Sequence, residues 1–591
     1  MKDQLEQILT DESLGERARH HRLRRFQDYI APLNFFDPAC GSGNFLSETY
    51  ICLRRLENKI LTELTQGQTT VVFEQDERKL NKVSLRQFAG IEINDFAVEV
   101  ANTALWIAQL QSNAETELLT LADVEDLPLR EQANIVHANA LTTDWAKVVP
   151  PEECSYIIGN PPFRGSKYQS AEQKGEIKAI FDGAKNSGTI DYVAGWHMKA
   201  ARYMADHKIR TAFVSTNSIC QGEQTAKVWS PIYDLGFRID FAHDTFKWAT
   251  ETVNGANVHC VIVGFSKLGG PKRLFHHPTV DSDAELLHPT QLNAYLKDAP
   301  DVFVWNRNTP LCHVPLMGIG SQPIDNGNYL FTAEQKKEFL AKEPGAERFF
   351  HRWYGSQEFI KGIERWVLWV GEASPAELTA MPLVMERIQA VREFRLASRR
   401  RQTIQAAELP QHFGTEIIQK GESLLIPKVS SERRRYIPIG YLDRGAFASD
   451  LVFLVPEASL YHFGILQSRT HNAWMRNVAG RLKSDYRYSA GVVYNNFIWP
   501  EPTDDQKVEI EKTAQAVLNA RQLHPDSTLA DMYDPDNSYM FPELFAAHAA
   551  LDAAVERAYG LEPGLDEVDL AAHLFRLYAG KINAIERRTA S

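Results

Sequence analysis

Two short stretches carry residue types that could do chemistry together. The first, Gly159-Asn160-Pro161-Pro162-Phe163, closes an apolar run. Consecutive prolines fix φ and remove amide donors, so the turn presents carbonyl groups with no competing N–H. Asn160 adds a side-chain carbonyl and Phe163 a flat apolar face. The turn thus offers two acceptors and a stacking surface to a planar ring that bears an exocyclic amine. Two hydrogen bonds accepted from an NH₂ group localise the nitrogen lone pair and aim it at an incoming methyl group. No general base is needed before attack, because the proton can leave afterwards. Taken alone, the motif also reads as an ordinary proline-rich strand-to-loop turn.

The second stretch, Asp37-Pro38-Ala39-Cys40-Gly41-Ser42-Gly43-Asn44-Phe45, follows an apolar strand and opens an amphipathic helix. Glycines at such a turn let the backbone bend tightly and approach a ligand. A carboxylate at the strand end can accept hydrogen bonds from an ammonium or hydroxyl group. The spacing is not G-x-G-x-x-G, so it does not indicate a dinucleotide pyrophosphate site. Further on, Gly90-Ile91-Glu92-Ile93-Asn94 ends a second apolar run. An acid at the tip of the second strand is the usual partner of ribose hydroxyls in doubly wound folds. A bare Gly-x-Gly turn says little; joined to Glu92 it points to a nucleoside cofactor.

These motifs need a scaffold that brings strand ends to one edge. Residues 34–265 alternate short strand candidates (LNFFDPA, FAGIEIN, NIVHANAL, CSYIIGNPPF, RTAFVST, FRIDFAHDTF, VHCVIVGFS) with helical segments carrying one apolar face. That is the pattern of a doubly wound α/β sheet. Residues 1–30 read as a charged helical segment, and the Gly/Pro break SKLGGPKR marks a boundary. The expected domains are 1–30, 31–268, 269–502 (mixed α/β) and 503–591 (helical), with a loop over 520–543. Phe246 and Trp248, placed in a loop after FRIDFAHD, are candidates for a second aromatic wall at the reacting site or for core packing.

The 591-residue chain is too long for a single core. It has no apolar run of about 18 residues and no apolar N-terminal signal, so neither a membrane span nor secretion is expected. Its six cysteines form no CxxC pair, which speaks against a zinc site and for a reducing cytoplasm. Net charge is −12, yet residues 385–489 hold 17 Lys+Arg against 10 Asp+Glu. Arg399, Arg400 and Arg401, then Arg433, Arg434 and Arg435, then Arg481 and Lys483 form basic clusters interleaved with aromatics. They fit phosphate or guanine contacts as well as they fit a solvated, salt-bridged surface.

As a set, DPACGSGNF, GIEIN, HANAL and GNPPF resemble the motifs of amino-methyltransferases of DNA. The stretches DYVAGWHMKAA, RTAFVSTNSICQGEQ and FAHDTFKWATETVNGANVHCVIVGF look like later motifs of the same family. More narrowly, nearly the whole chain resembles the methyltransferase, target-recognition and C-terminal parts of MmeI-like fused restriction–modification enzymes. The resemblance implies a Rossmann-like methyltransferase sheet that binds S-adenosylmethionine and methylates N6 of adenine in double-stranded DNA. Asp37, Gly41 and Gly43 would surround the methionine part of the cofactor, Glu92 the ribose and Asn139 the adenine ring, with Ala39 and Ile93 also among the cofactor-binding residues. Many relatives have Asp where this chain has Asn139. Asn160, Pro161, Pro162 and Phe163 would hold the target base flipped from the duplex, and target recognition would lie between about residues 300 and 500. The fused relatives begin with a nuclease and a helical spacer, whereas this sequence starts 36 residues before Asp37. The expectation is that a separate subunit supplies those parts or that the chain is a solitary methyltransferase. Acid-x-Lys triplets at Glu77-x-Lys79 and Glu334-x-Lys336 read as surface charge rather than a nuclease. The competing readings are methylation of cytosine N4, of RNA or of a protein glutamine, and a catalytically silent DNA-binding subunit.

Overall fold

The computed structural model describes residues 1–65, 81–120, 132–182, 187–248, 258–419, 421–482 and 484–590. They form two compact units: Met1–Cys220 with Gln224–Asp298, and Gln221–Glu223 with Ala299–Ser591.

The first unit begins with α1 (Lys2–Thr10) and α2 (Glu16–Ile30), then alternates β1 (Phe35–Asp37), α3 (Asn44–Thr65), β2 (Phe88–Glu92), α4 (Asp95–Thr120), β3 (Asn134–His137) and β4 (Tyr156–Gly159). It continues through α5 (Ala171–Ile180), α6 (Ala194–Met204), β5 (Arg210–Thr216), α7 (Gly222–Asp234), β6 (Arg238–Trp248), β7 (Val258–Ser266), β8 (Arg273–His276) and β9 (Glu285–Leu287). All seven strand candidates in the sequence are strands. Among the described residues they build, together with β8 and β9, one nine-stranded sheet in the order β3-β2-β1-β4-β5-β7-β6-β8-β9. β8 and β9 carry it past the SKLGGPKR break. The run from β3 to β5 is parallel, and β7 pairs antiparallel with both β5 and β6.

From β1 the chain winds to one side through β2 and β3, then returns to lay β4 and β5 on the other. Loops leaving β1 and β4 therefore diverge, and a crevice opens at the carboxyl ends of these two strands, the usual ligand position in such sheets. An aromatic ladder marks their register. Phe35 faces Phe88 on β2 and Tyr156 on β4, its ring stacked 5.5 Å and 5.2 Å from theirs. Slipping either strand by one residue would turn a stacked ring to the opposite face of the sheet. With the register held, Asp37, Glu92 and Asn160 all emerge at the same edge. Beneath, α1 and α2 bury Leu5, Leu23, Phe26 and Ile30 against Phe35, Tyr50 and Phe88.

The second unit is mixed. One four-stranded sheet runs Gly318–Ile319, Val452–Pro456, Ser423–Pro427, Gly440–Tyr441, and another Leu330–Thr332, Arg365–Leu368, Phe350–Tyr354, Phe447–Ala448. An aromatic core of Phe331, Phe350, Trp353, Trp369 and Phe447 packs the second of these. Helices Asp504–Gln522, Pro542–Ala558 and Glu567–Ala590 complete the chain. The expected 520–543 loop instead carries helical turns at Leu529–Met532 and Pro535–Met540. Thr528 and Asp534 cap them by accepting from Asp531 and Asp536 backbone N–H groups, so polar residues that looked like loop act as caps. No helix among the described residues is long and apolar enough to cross a membrane.

Candidate active site

The glycine turn after β1 depends on left-handed backbone, and at Gly43 also on close packing. Gly41 and Gly43 have φ of +54° and +82°, and a Cβ on Gly43 would lie 3.0 Å from the Ala101 backbone of α4. The turn is tied to the second strand: Gly41 N–H donates to Glu92 Oε2 at 2.9 Å, and Asn94 N–H donates to Oε1 at 2.9 Å. Each carboxylate oxygen of Glu92 keeps one lone pair, the capacity a pair of hydroxyls would use. Ile93, next in the chain, is 66% exposed at this edge, an apolar side chain open to a ring above it.

Asp37 is the unusual group. It is 1% exposed; Oδ1 accepts from Ala39 N–H at 2.9 Å, while Oδ2 is buried with no hydrogen-bond partner. Burial, with a smaller contribution from the Glu92 charge, pushes its carboxyl up to about 7 despite the Ala39 bond. Its carboxylate lies directly against the GNPPF turn, since a Cβ on Gly159 would sit 2.4 Å from Oδ1. Only glycine fits there, which gives the first residue of that motif a steric reason. One residue on, Asn160 Oδ1 is likewise buried without a partner. A buried acceptor left unpaired costs about 1–3 kcal/mol, a cost that a donor-bearing ligand would remove at each of these two strand ends. Pro161 is buried, Pro162 exposed and Phe163 partly exposed. Asn139 stands just past β3, its Oδ1 accepting from Leu141 N–H at 2.9 Å and its Nδ2 donating to Glu176 Oε1 of α5 at 2.6 Å.

Several supporting residues lie in stretches whose pattern gave them no role. Trp196 Nε1 donates to the Pro38 carbonyl at 3.0 Å, so α6 is tied to the DPACGSG loop. Tyr192, one turn earlier, donates its hydroxyl to Glu176 Oε2. Asp191 accepts from Ser166 N–H just beyond GNPPF and from the Ser218 hydroxyl beyond β5, tying the two loops together. The i, i+4 spacing of Tyr192 and Trp196 in DYVAGW was the available signal. Phe246 and Trp248 are not in a loop: both lie on β6, opposite Cys260 and Val258, because the alternating FAHDTFKW run pairs across a bulged ladder with β7. Phe246 stacks on His277 at 5.2 Å.

In the second unit the basic residues are not equivalent. Arg399, Arg400 and Arg401 are exposed and have no acidic partner among the described residues. Arg433 pairs with Asp536 at 2.6 Å, Arg434 is partly buried, and Arg435 lies over the Tyr436 ring. Arg481 stacks on Tyr486 with its guanidinium 3.7 Å from the ring centre and lies 3.5 Å from Glu432. Lys483 and the Glu77-x-Lys79 triplet fall outside the described residues. Glu334 sits in the first turn of Ala333–Lys342 and Lys336 lies 3.1 Å over the Trp366 ring, a packing arrangement rather than a catalytic one.

Comparison with known proteins agrees with this geometry. Residues 12–276 match the family model described as MmeI, DNA-methyltransferase domain; 298–501 match MmeI, target recognition domain; and 502–585 match MmeI, C-terminal domain. The chain is 38% identical over 562 residues to DNA methyltransferase A of Bacillus subtilis (strain 168), covering 94% of this chain and 62% of that protein. It is similar to the type IIL restriction–modification enzyme MmeI solved in complex with DNA, with a TM-score of 0.85 and 40% identity, over 98% of this chain and 77% of that one. The chain thus spans less than two thirds of the length of its Bacillus relative.

Proposed function

Since the chain belongs to the MmeI family of DNA methyltransferases, we propose that it methylates N6 of adenine within a specific DNA sequence, using S-adenosylmethionine, as part of a restriction–modification or phage-defence system. The observation that carries this reading is the pair of buried, unpartnered acceptors, Asp37 Oδ2 and Asn160 Oδ1, at the carboxyl ends of the adjacent strands β1 and β4. S-adenosylmethionine bound here supplies an electrophilic methyl group. Asp37 accepts from its ammonium group, Glu92 from its ribose hydroxyls, and Ile93 covers a purine face. The positive-φ glycines leave the backbone close enough for these contacts.

Asn160 Oδ1 and the carbonyl beside Pro161 accept the two N–H bonds of the target amine, which leaves the nitrogen lone pair facing the methyl group. Phe163 stacks on the base, offsetting part of the cost of about a few kcal/mol for extracting it from the duplex. The family's cofactor and acceptor motifs both stand intact, which disfavours a silent subunit. The six cysteines, all free, fit work in a reducing compartment. The test is to incubate the protein with tritiated S-adenosylmethionine and duplex DNA, digest to nucleosides and separate them. Label in N6-methyladenine is expected. Label in N4-methylcytosine, or only in RNA or protein, refutes the assignment.

A further inference from the structure

The side-chain amide of Asn139 is held at both ends, and the two restraints agree. Leu141 N–H needs an acceptor and finds Asn139 Oδ1 at 2.9 Å; the Glu176 carboxylate needs a donor and finds Asn139 Nδ2 at 2.6 Å. Glu176 is itself fixed, 9% exposed and bonded through Oε2 to the Tyr192 hydroxyl. The backbone below is pinned separately: the Lys199 ammonium donates to the Leu141 carbonyl at 2.8 Å and to the Thr143 carbonyl at 2.5 Å. The two ends of an amide differ little in size, so an asparagine facing a ligand can turn either its oxygen or its nitrogen outward. Here the turn is blocked. One N–H and one lone pair remain for a ligand.

We infer that Glu176 is a positioning residue that locks Asn139 in the orientation reading a 6-aminopurine and rejecting a 6-oxopurine; this rests on the cofactor reading proposed above. A 6-aminopurine edge offers an exocyclic N–H donor beside a ring-nitrogen acceptor, which the remaining lone pair and N–H of Asn139 complement. A 6-oxopurine reverses both, and a freely turning amide would serve either. A carboxylate at Glu176 also accounts for asparagine at 139. An aspartate there would set two carboxylates 2.6 Å apart.

Calorimetry with S-adenosylhomocysteine and S-inosylhomocysteine tests this. Wild type should prefer the 6-amino ligand by about 10-fold or more. Glu176→Ala should keep binding while losing most of that preference, because the Lys199 contacts leave the loop in place. Asn139→Asp should weaken 6-amino binding by about 10-fold, and Asn139→Asp with Glu176→Gln should recover part of that loss, since the aspartate then accepts from the glutamine amide but still has no N–H for the ring nitrogen. A wild-type protein without preference, an unchanged preference in Glu176→Ala, or no recovery in the double variant overturns the inference. Asp37→Ala separates the two failures. If it leaves both ligands bound as before, the cofactor reading itself is wrong; if it weakens both while Glu176→Ala discriminates normally, only the role of Glu176 falls.

Discussion

The strand-end motifs and the basic segment were equally conspicuous in the sequence, and the structure treats them differently. At the crevice, side chains that ought to be paired are not: Asp37 Oδ2 and Asn160 Oδ1 are buried acceptors with nothing to accept from. In the basic segment, many side chains that looked free are engaged, although Arg399, Arg400 and Arg401 stay exposed and Arg434, Arg469 and Arg481 each keep a buried Nε without a partner. Arg433, Arg469 and Arg476 pair with Asp536, Glu556 and Glu567 of the C-terminal region, and buried Arg395 donates to five backbone carbonyls. Acids distant in sequence answer much of the local positive excess. Two unpaired acceptors at the carboxyl ends of adjacent strands are therefore a sharper pointer to a ligand than a run of charge, because folding has a free-energy reason to pair them and the strand ends are where such sheets bind ligands.

The most severe way to break this contrast is Asn160→Ala. If its orphan oxygen serves the acceptor amine, methyl transfer should fall by about 10²-fold or more while S-adenosylhomocysteine affinity stays nearly unchanged. A merely unsatisfied structural atom would instead leave the rate alone and raise the melting temperature. Tritium incorporation and thermal unfolding on one preparation decide between these.

Asp37 gives a pH signature. Burial holds its carboxyl near 7 in the free protein, so below that pH the group is largely protonated and offers an ammonium no compensating charge. A cation that binds the ionised form lowers this value, so affinity should rise, with proton release, as pH increases from about 5.5 to 7.5. It should be lost as pH falls through 7. Asp37→Asn should flatten the profile and weaken binding by about 1.5–3 kcal/mol. Titrations in two buffers of different ionisation enthalpy read both quantities, and a flat wild-type profile would count against the pocket.

Phe163→Ala should cost about 1–3 kcal/mol of stacking on the flipped base, partly recovered on a duplex mismatched at the target adenine. The same mismatch should not rescue Asn160→Ala; equal rescue would show that the turn is not where the base reacts.

The smallest effects should come from the arginines, and they sharpen the comparison most. Replacing Arg399, Arg400 and Arg401 should reduce the slope of log affinity against log salt by up to about 0.9 for each phosphate no longer neutralised. Arg433→Ala should change it less, since Asp536 already neutralises that guanidinium. Filter binding across a salt series measures both, and a larger change for Arg433→Ala would mean that the ion pair opens for DNA.

What could be read from the residues was local. Strand ends followed from short apolar runs broken by Gly, Asn and Pro, and all seven strand candidates are strands. The chemistry of DPACGSG, GIEIN and GNPPF followed from residue type, because glycine, proline, aspartate and asparagine offer the same groups in any context. Tertiary structure decided the rest, which concerns partners. Gly159 is required because strand pairing lays the Asp37 carboxylate against it, and nothing in GNPPF announces that. Phe246 and Trp248 became strand residues once β7 paired with them; the helical turns in 520–543, by contrast, rest on local caps whose residues were already present in the stretch. The grip of Glu176 on Asn139 joins residues on different elements. A hydrogen bond is satisfied wherever the complementary group arrives in space. Spacing along the chain can nominate an acceptor, but only the folded packing shows which acceptors are left for a ligand.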